Sequence, residues 1–293
     1  MWKVVRLPRM QRAYGPSVRR RRLNAQLRRY RERKGKTTGE VAKALGWQQT
    51  KVSKIETGER KKVTPDELTE LLDYYEEEDP EIRESLHECA RLGNQRGWWA
   101  KYRDLLPSGL PDFEVEASVI KTYECQVVPG LLQTPDYAEA IFRANLVRSD
   151  DEIAKRLNGR MKRQETLNRV DPPEYWVILD EAALRRVIGS REVMSQQLRH
   201  LTHMAARHNI NIYVLPFSEG AHPATVGSFV IMDFSDPMDG SIGYVEMPTS
   251  SAYVEEAHEL AELNTIFAGA QGAAMSPVRS LAFINDIIDS LEE

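Results

Sequence analysis

Between Ser17 and Leu92 the apolar residues recur with the spacing of short amphipathic helices. Leu23, Leu27 and Tyr30 lie four and three apart, which predicts one buried stripe on a helix that begins near Ser17 and is ended by Gly35. Arg19, Arg20, Arg21, Arg22, Arg28 and Arg31 are expected to project outward. Thr37 and Glu40, three apart, form a capping box for a second helix that stops at Gly46 and turns Val41, Ala42 and Leu45 inward. A third helix is expected from about Gln48 to Thr57, burying Val52 and Ile55, with Gly58 supplying the left-handed residue that releases the chain. Thr64-Pro65-Asp66-Glu67 starts a fourth helix, striped by Leu68, Leu71, Leu72 and Tyr75. Asp79-Pro80 starts a fifth, with Ile82, Leu86, Cys89 and Ala90 or Leu92 inward.

Beyond Gly97 the pattern changes. Trp98, Trp99 and Tyr102 form an aromatic cluster, and Pro107, Gly109 and Pro111 mark a loop. Thr134-Pro135 caps a helix through Leu146, and Ser149 with Glu152 caps a longer one through about Asn168. Tyr175 to Leu179, a helix carrying Val193, Leu198, Leu201, Met204 and Ala205, and Ile210 to Leu215 predict a strand, helix and strand forming one right-handed parallel crossover. Ser228 to Phe234 and Ile242 to Met247 flank a turn-rich segment and predict a hairpin. Two helices, about 251–270 and 276–291, close the chain. The expected architecture is mainly α: a flexible basic arm at 1–16, a five-helix domain at 17–93, a hinge at 94–113, and an α+β domain with a small mixed sheet at 114–293.

Composition agrees with two domains, since 293 residues exceed the usual size of one. Charge separates them further. Through Lys62 there are 20 Lys/Arg against 4 Asp/Glu, and after it 20 against 40, so the whole-chain value of −4 conceals +16 followed by −20. The first quarter therefore suits a polyanion, and double-stranded DNA is the polyanion its helix pattern fits. Cys89 and Cys125 are the only cysteines and read as two reduced thiols in a cytosolic protein. With no run approaching the roughly 18 apolar residues that span a bilayer, a cytoplasmic protein without membrane contact is expected.

The spacing from Thr38 to Ile55 carries the chemistry. Counted from Thr38, a small residue, Ala42, falls fifth, Gly46 ninth, and Val52 and Ile55 fifteenth and eighteenth. That is the spacing of a helix-turn-helix, although a helical hairpin that binds no DNA shares part of it. With Val52 and Ile55 inward, Gln48, Gln49, Thr50, Lys51, Ser53 and Lys54 are the candidates for base contact. Glutamine can pair its amide with adenine, lysine can donate to guanine, and a threonine methyl can meet a thymine methyl. The alternative for each is a solvated helix face. Arg19, Arg20, Arg21, Arg22, Thr38, Arg60, Lys61 and Lys62 are the candidates for phosphate contact, and Arg6, Arg9 and Arg12 of the arm are either minor-groove contacts or a solubilising tail.

Val18-Arg19-Arg20-Arg21-Arg22-Leu23, Leu45-Gly46-Trp47 with Lys51 to Gly58, Trp98-Trp99-Ala100-Lys101-Tyr102, Val128 to Ala138, Asp180 to Arg186 and Val214 to Phe217 resemble the XRE (Cro/repressor-like) regulators of high-GC Gram-positive bacteria that carry a C-terminal domain of unknown function. The resemblance implies a lambda-repressor-like DNA-binding domain and an antitoxin-like arrangement, with a small protein partner encoded by a neighbouring gene. Relatives often have serine and proline where this chain has Gln48 and Gln49. Glutamine is the poorer N-cap, so the start of the third helix and the base preference are not carried over.

The second domain shows no catalytic constellation, and no enzyme, cofactor or metal is expected. His200 and His203 share a helical face with His208 nearby, but no cysteine or paired carboxylate completes a metal site. His222 sits in a turn with no evident nucleophile. Trp98, Trp99 and Tyr102 are candidates for a ligand pocket or an interface, against the commoner reading of aromatic core. Two roles stay open for this domain: a homodimer handle that binds the protein partner, or a small-molecule sensor with its pocket between the sheet and the Trp98 region.

Overall fold

The computed structural model describes residues 16–60, 62–93, 109–145, 147, 149–235, 240–247 and 250–293. The chain divides into two compact units, one up to Ala100 and one from Lys101. Residues 1–15 of the arm, Lys61, and the aromatic cluster Trp98, Trp99 and Tyr102 lie outside the described residues.

The first unit holds five helices: α1 (Pro16–Arg33), α2 (Thr38–Ala44), α3 (Lys51–Glu56), α4 (Pro65–Tyr74) and α5 (Pro80–Gly93). Leu23, Leu27, Val41, Ala42, Val52, Ile55, Leu68, Leu71, Leu72, Leu86 and Cys89 form its core. Each of its larger aliphatic side chains contributes about 1.5–3 kcal/mol on leaving water. Capping boxes at Thr37 with Glu40 and at Thr64 with Glu67 start α2 and α4. Gly35, Gly46 and Gly58 take left-handed φ values of 62°, 66° and 76° at the ends of α1, α2 and α3, where a Cβ would be strained.

Two expectations for this unit are corrected. Arg19 and Arg22 are buried, at 7% and 6% exposure, rather than facing outward. Arg19 lies four residues before Leu23 and so shares its stripe, and α1 packs along α5. Arg20 donates to the Gly93 carbonyl at the end of α5 at 2.7 Å. The third helix begins at Lys51 rather than near Gln48, because neither glutamine offers the short oxygen that caps a helix.

The second unit is built on a six-stranded mixed sheet ordered β3-β2-β1-β4-β5-β6. Its strands are β1 (Val119–Glu124), β2 (Glu174–Asp180), β3 (Ile210–Leu215), β4 (Phe229–Asp233), β5 (Ile242–Met247) and β6 (Ser250–Val254). The β2 to β3 connection carries α9 (Glu181–Arg185) and α10 (Arg191–Ala205), and the two strands pair in parallel as expected. β4 and β5 form the expected antiparallel hairpin. On one sheet face Tyr123, Ile178, Leu215, Phe229 and Ile231 pack with Phe267 and Ala270 of α11 (Ala257–Ala273), which α12 (Pro277–Glu292) follows. The other α elements are α6 (Leu110–Glu114), α7 (Pro135–Ala144) and α8 (Asp150–Gln164).

Three elements here depart from the sequence reading. β1 was not foreseen, although it is the strand that joins the parallel half of the sheet to the antiparallel half. Its Val119-Ile120-Lys121-Thr122-Tyr123-Glu124 lacks clean alternation because both faces are covered in part: Lys121 reaches Asp233 at 2.9 Å on one side, and Thr122 is buried on the other. β6 occupies 250–254, where helix was expected; it is an edge strand held by pairing with β5 and by Tyr253, whose ring lies 5.1 Å from that of Phe113, contacts which no local pattern announces. α6 occupies the C-terminal end of the expected hinge, with Pro111 in its first turn, a position where proline favours helix.

Candidate nucleic-acid interface

The turn between α2 and α3 is a closed hydrogen-bonded unit. Trp47 N–H donates to the Ala42 carbonyl at 2.8 Å and Gly46 N–H to the Lys43 carbonyl at 3.2 Å, the paired bonds of a Schellman ending. Trp47 then packs partly against the core and donates its indole N–H to Glu70 at 3.0 Å. The angle between the two helices is thereby set by the backbone, with one aromatic wedge beneath it.

α3 is short and takes its orientation from its neighbours. Val52 and Ile55 are 1% exposed, anchoring one side. Glu56 accepts from the Arg31 guanidinium at 2.8 and 2.9 Å, tying α3 to α1, and this pairing holds the Arg31 pKa above its ordinary value. At the other end Glu67 of α4 accepts from Lys51 at 2.8 Å, Arg60 at 2.5 Å and the Thr64 backbone at 3.0 Å. Burial pushes the Glu67 carboxyl up, but the bonds from Lys51 and Thr64 outweigh it and the net shift is downward.

This framework sorts the candidate contacts. Gln48, Gln49, Thr50 and Lys54 are exposed, and Ser53 is half-buried. Gln48 and Gln49 belong to the turn ahead of α3, and Thr50 is its N-cap without a side-chain capping bond. Lys51 differs from the expectation: its ammonium lies 3.5 Å from the Trp47 ring centroid and pairs with Glu67, so it braces α3 from within. Arg60 is likewise engaged, by Glu67 and by the Lys62 carbonyl at 3.1 Å. Lys62 is exposed, and Thr38 and Arg21 are half-buried. Lys36 and Lys43, which the sequence reading passed over, are exposed beside α2 and on it. Their signal was present in the sequence as isolated lysines outside the arginine run.

In the second unit, His200 is half-buried, and burial with His203 nearby lowers its pKa. Among the described residues no group of His, Cys, Asp and Glu could hold a metal ion. His222 is half-buried, with its side chain 8% exposed and Nε2 3.8 Å from Asp180. Cys89 and Cys125 are both free thiols. None of the described helices is long and apolar enough to cross a membrane.

Residues 22–86 match the family described as a helix-turn-helix domain, HTH_31, a fold whose general role is DNA binding in transcription regulation. Residues 108–286 match a domain of unknown function, DUF5753. No curated protein and no solved structure matches the chain. Since the second match covers more than half of the sequence and lies behind a helix-turn-helix head, the chain belongs to the DUF5753 family.

Proposed function

We propose that this protein is a sequence-specific transcription regulator of the XRE type that binds DNA as a homodimer, and that its second unit engages a small protein partner encoded by a neighbouring gene, in an antitoxin-like arrangement. The observation that carries the DNA reading is the exposed set Gln49, Thr50 and Lys54, backed by Val52 and Ile55 and framed by ion pairs at both ends of α3. These side chains present an amide, a methyl-bearing hydroxyl and an ammonium, which are the groups that read base edges in a major groove. Gln48 and Ser53 flank them. Lys36, Lys43 and Lys62 supply phosphate contacts around the same surface. Two heads related by a two-fold axis would meet half-sites about 34 Å apart. The second unit's own acidic balance, 29 Asp/Glu against 17 Lys/Arg from Lys101 onward, keeps it from competing for the duplex and suits a basic partner.

Selection of bound duplexes from a random pool tests the reading. The expected product is a palindromic site, and Gln49→Ala and Lys54→Ala each weaken binding to it by about 1–3 kcal/mol while relaxing the preference at particular base pairs. Uniform weakening across all duplexes would reassign both to phosphate, and no enrichment at modest salt would overturn the proposal.

A further inference from the structure

The two edges of the six-stranded sheet are finished differently. At the β3 edge, Val214 N–H donates to the Ser280 hydroxyl at 2.9 Å, and the Val214 carbonyl accepts from Met275 N–H at 2.8 Å. Ser280 is buried there, so the first turn of α12 and the residues before it close that side. At the opposite edge, β6 pairs with β5 and with no other described strand. Ser250 and Ala252 are exposed, and Ser251 and Val254 are half-buried. Among the described residues, no backbone bond outside the β5 ladder reaches any of these four. A strand left in this state is a template for another strand.

Soluble proteins usually blunt an open edge with lysine, proline or a charge within the strand. Ser250-Ser251-Ala252-Tyr253-Val254 has none of these, and the next charges along the chain are Glu255 and Glu256. The strand register fixes what an incoming strand would meet. Ala252 stands opposite Val245, and Val254 opposite Gly243, on the face where Val245 packs with the α11 core. Tyr253 lies on the other face, its ring 5.1 Å from Phe113 and 5.3 Å from Tyr244, and so belongs to its own unit. The middle of the edge is a single methyl group, that of Ala252.

We propose that β6 pairs antiparallel with β6 of a second copy of this chain, about a two-fold axis through Ala252, joining the two sheets into one. The inference rests on the homodimer reading and supplies its interface. A closed two-fold contact brings one patch against itself, and an antiparallel strand pair meets that condition when one residue faces its own copy. With Ala252 in that place, Ser251 faces Tyr253 of the second copy and Ser250 faces its Val254. Every position of β6 is then paired, and Glu255 and Glu256 of each copy fall beyond the paired stretch, so no like charges meet. An axis through Tyr253 would instead set Ser250 and Ser251 against those glutamates and leave fewer residues of β6 paired with β6.

Sedimentation of the full-length protein without DNA tests it. The parent should form a dimer whose share rises with concentration. Because Ala252 faces itself, Ala252→Lys and Ala252→Glu each bring two like charges together and should raise the dimer Kd at least ~10-fold. An equimolar mixture of the two variants should recover the parent Kd, which misfolded variants could not do. Ala252→Cys should give a covalent dimer on mild oxidation, since directly opposite residues of an antiparallel pair have Cβ atoms about 4.5–5.5 Å apart. Thr265→Cys, on the exposed side of α11, and the parent with Cys89 and Cys125 should not. A parent dimer that tolerates both charges and resists the cross-link would overturn this interface and leave the homodimer reading standing. A parent that stays monomeric at every concentration would overturn both. Weakening by both charges with no recovery in the mixture would overturn the two-fold pairing and leave the edge to a strand of another protein.

Discussion

Lys51 and Lys54 stand three residues apart on α3 and have different fates. The Lys54 side chain is exposed, whereas the Lys51 ammonium is held between the Trp47 ring and Glu67. Lys51→Met is therefore expected to lower the stability of the first unit by about 1–2 kcal/mol and leave the selected DNA sequence unchanged. Denaturant unfolding read beside site selection checks both halves; a changed base preference would return Lys51 to the interface. Glu124 makes a second residue-scale prediction. Its carboxyl is raised to about 7 in the fold, above an ordinary 4.5, so the folded state binds the proton more tightly than the unfolded one. The corresponding stability is fully present below about pH 4.5 and is lost as pH rises through about 7. Glu124→Gln should flatten the fall in melting temperature between pH 5 and pH 8, and an unchanged slope would contradict the shift. Both outcomes lay beyond the sequence, where Lys51 stood with Lys54 among the candidates for base contact and Glu124 carried no signal.

At the scale of elements, the helices of the first unit were legible because their signals are local. Thr37 with Glu40, Thr64-Pro65-Asp66-Glu67, Gly46 and Gly58 act within a few residues of themselves, and each performs the expected role. Thr64→Ala should cost about 1 kcal/mol through loss of the α4 cap, measurable as a lowered unfolding midpoint with an unchanged denaturant slope. The position of α3 depends instead on a longer-range tie. The Glu56 side chain is 5% exposed and meets Arg31 twenty-five residues earlier, so Glu56→Ala leaves a part-buried guanidinium with only the Lys36 carbonyl and the more distant Glu32 and should cost about 2–3 kcal/mol. Amide exchange should then quicken first in α3; retention of protection there would place the tie elsewhere. In the second unit β1 and β6 escaped the sequence reading for one reason. A central strand covered on both faces and an edge strand carrying serines both lack alternation, and both are fixed by pairing with residues far along the chain.

For the whole molecule, the separation of charge predicts how it behaves in salt. Lys62→Ala should reduce the slope of log affinity against log salt by about 0.9 per half-site if it meets one phosphate. Arg60→Ala should change that slope less and stability more, because Arg60 is paired with Glu67. Equal slope changes for the two would argue against this distinction. Removing the chain beyond about residue 100, where the two compact units divide, should leave a folded head that binds a half-site weakly, since the gain from linking two heads is lost. Equal affinity of the isolated head and the full chain would argue against dimerisation through the second unit.

The sequence by itself determined the order of the first five helices, the capping boxes of α2 and α4, the helix-turn-helix spacing, the parallel β2 to β3 unit and the β4 to β5 hairpin, because periodicity and turn chemistry act over a handful of residues. Only the tertiary structure decided which cations remain outside. Arg19 and Arg22 went into the core and Lys51 and Arg60 onto Glu67, while Lys54 and Lys62 stayed exposed. Charge is written along the chain one residue at a time, but its availability is fixed by packing, which brings or withholds a partner from tens of residues away.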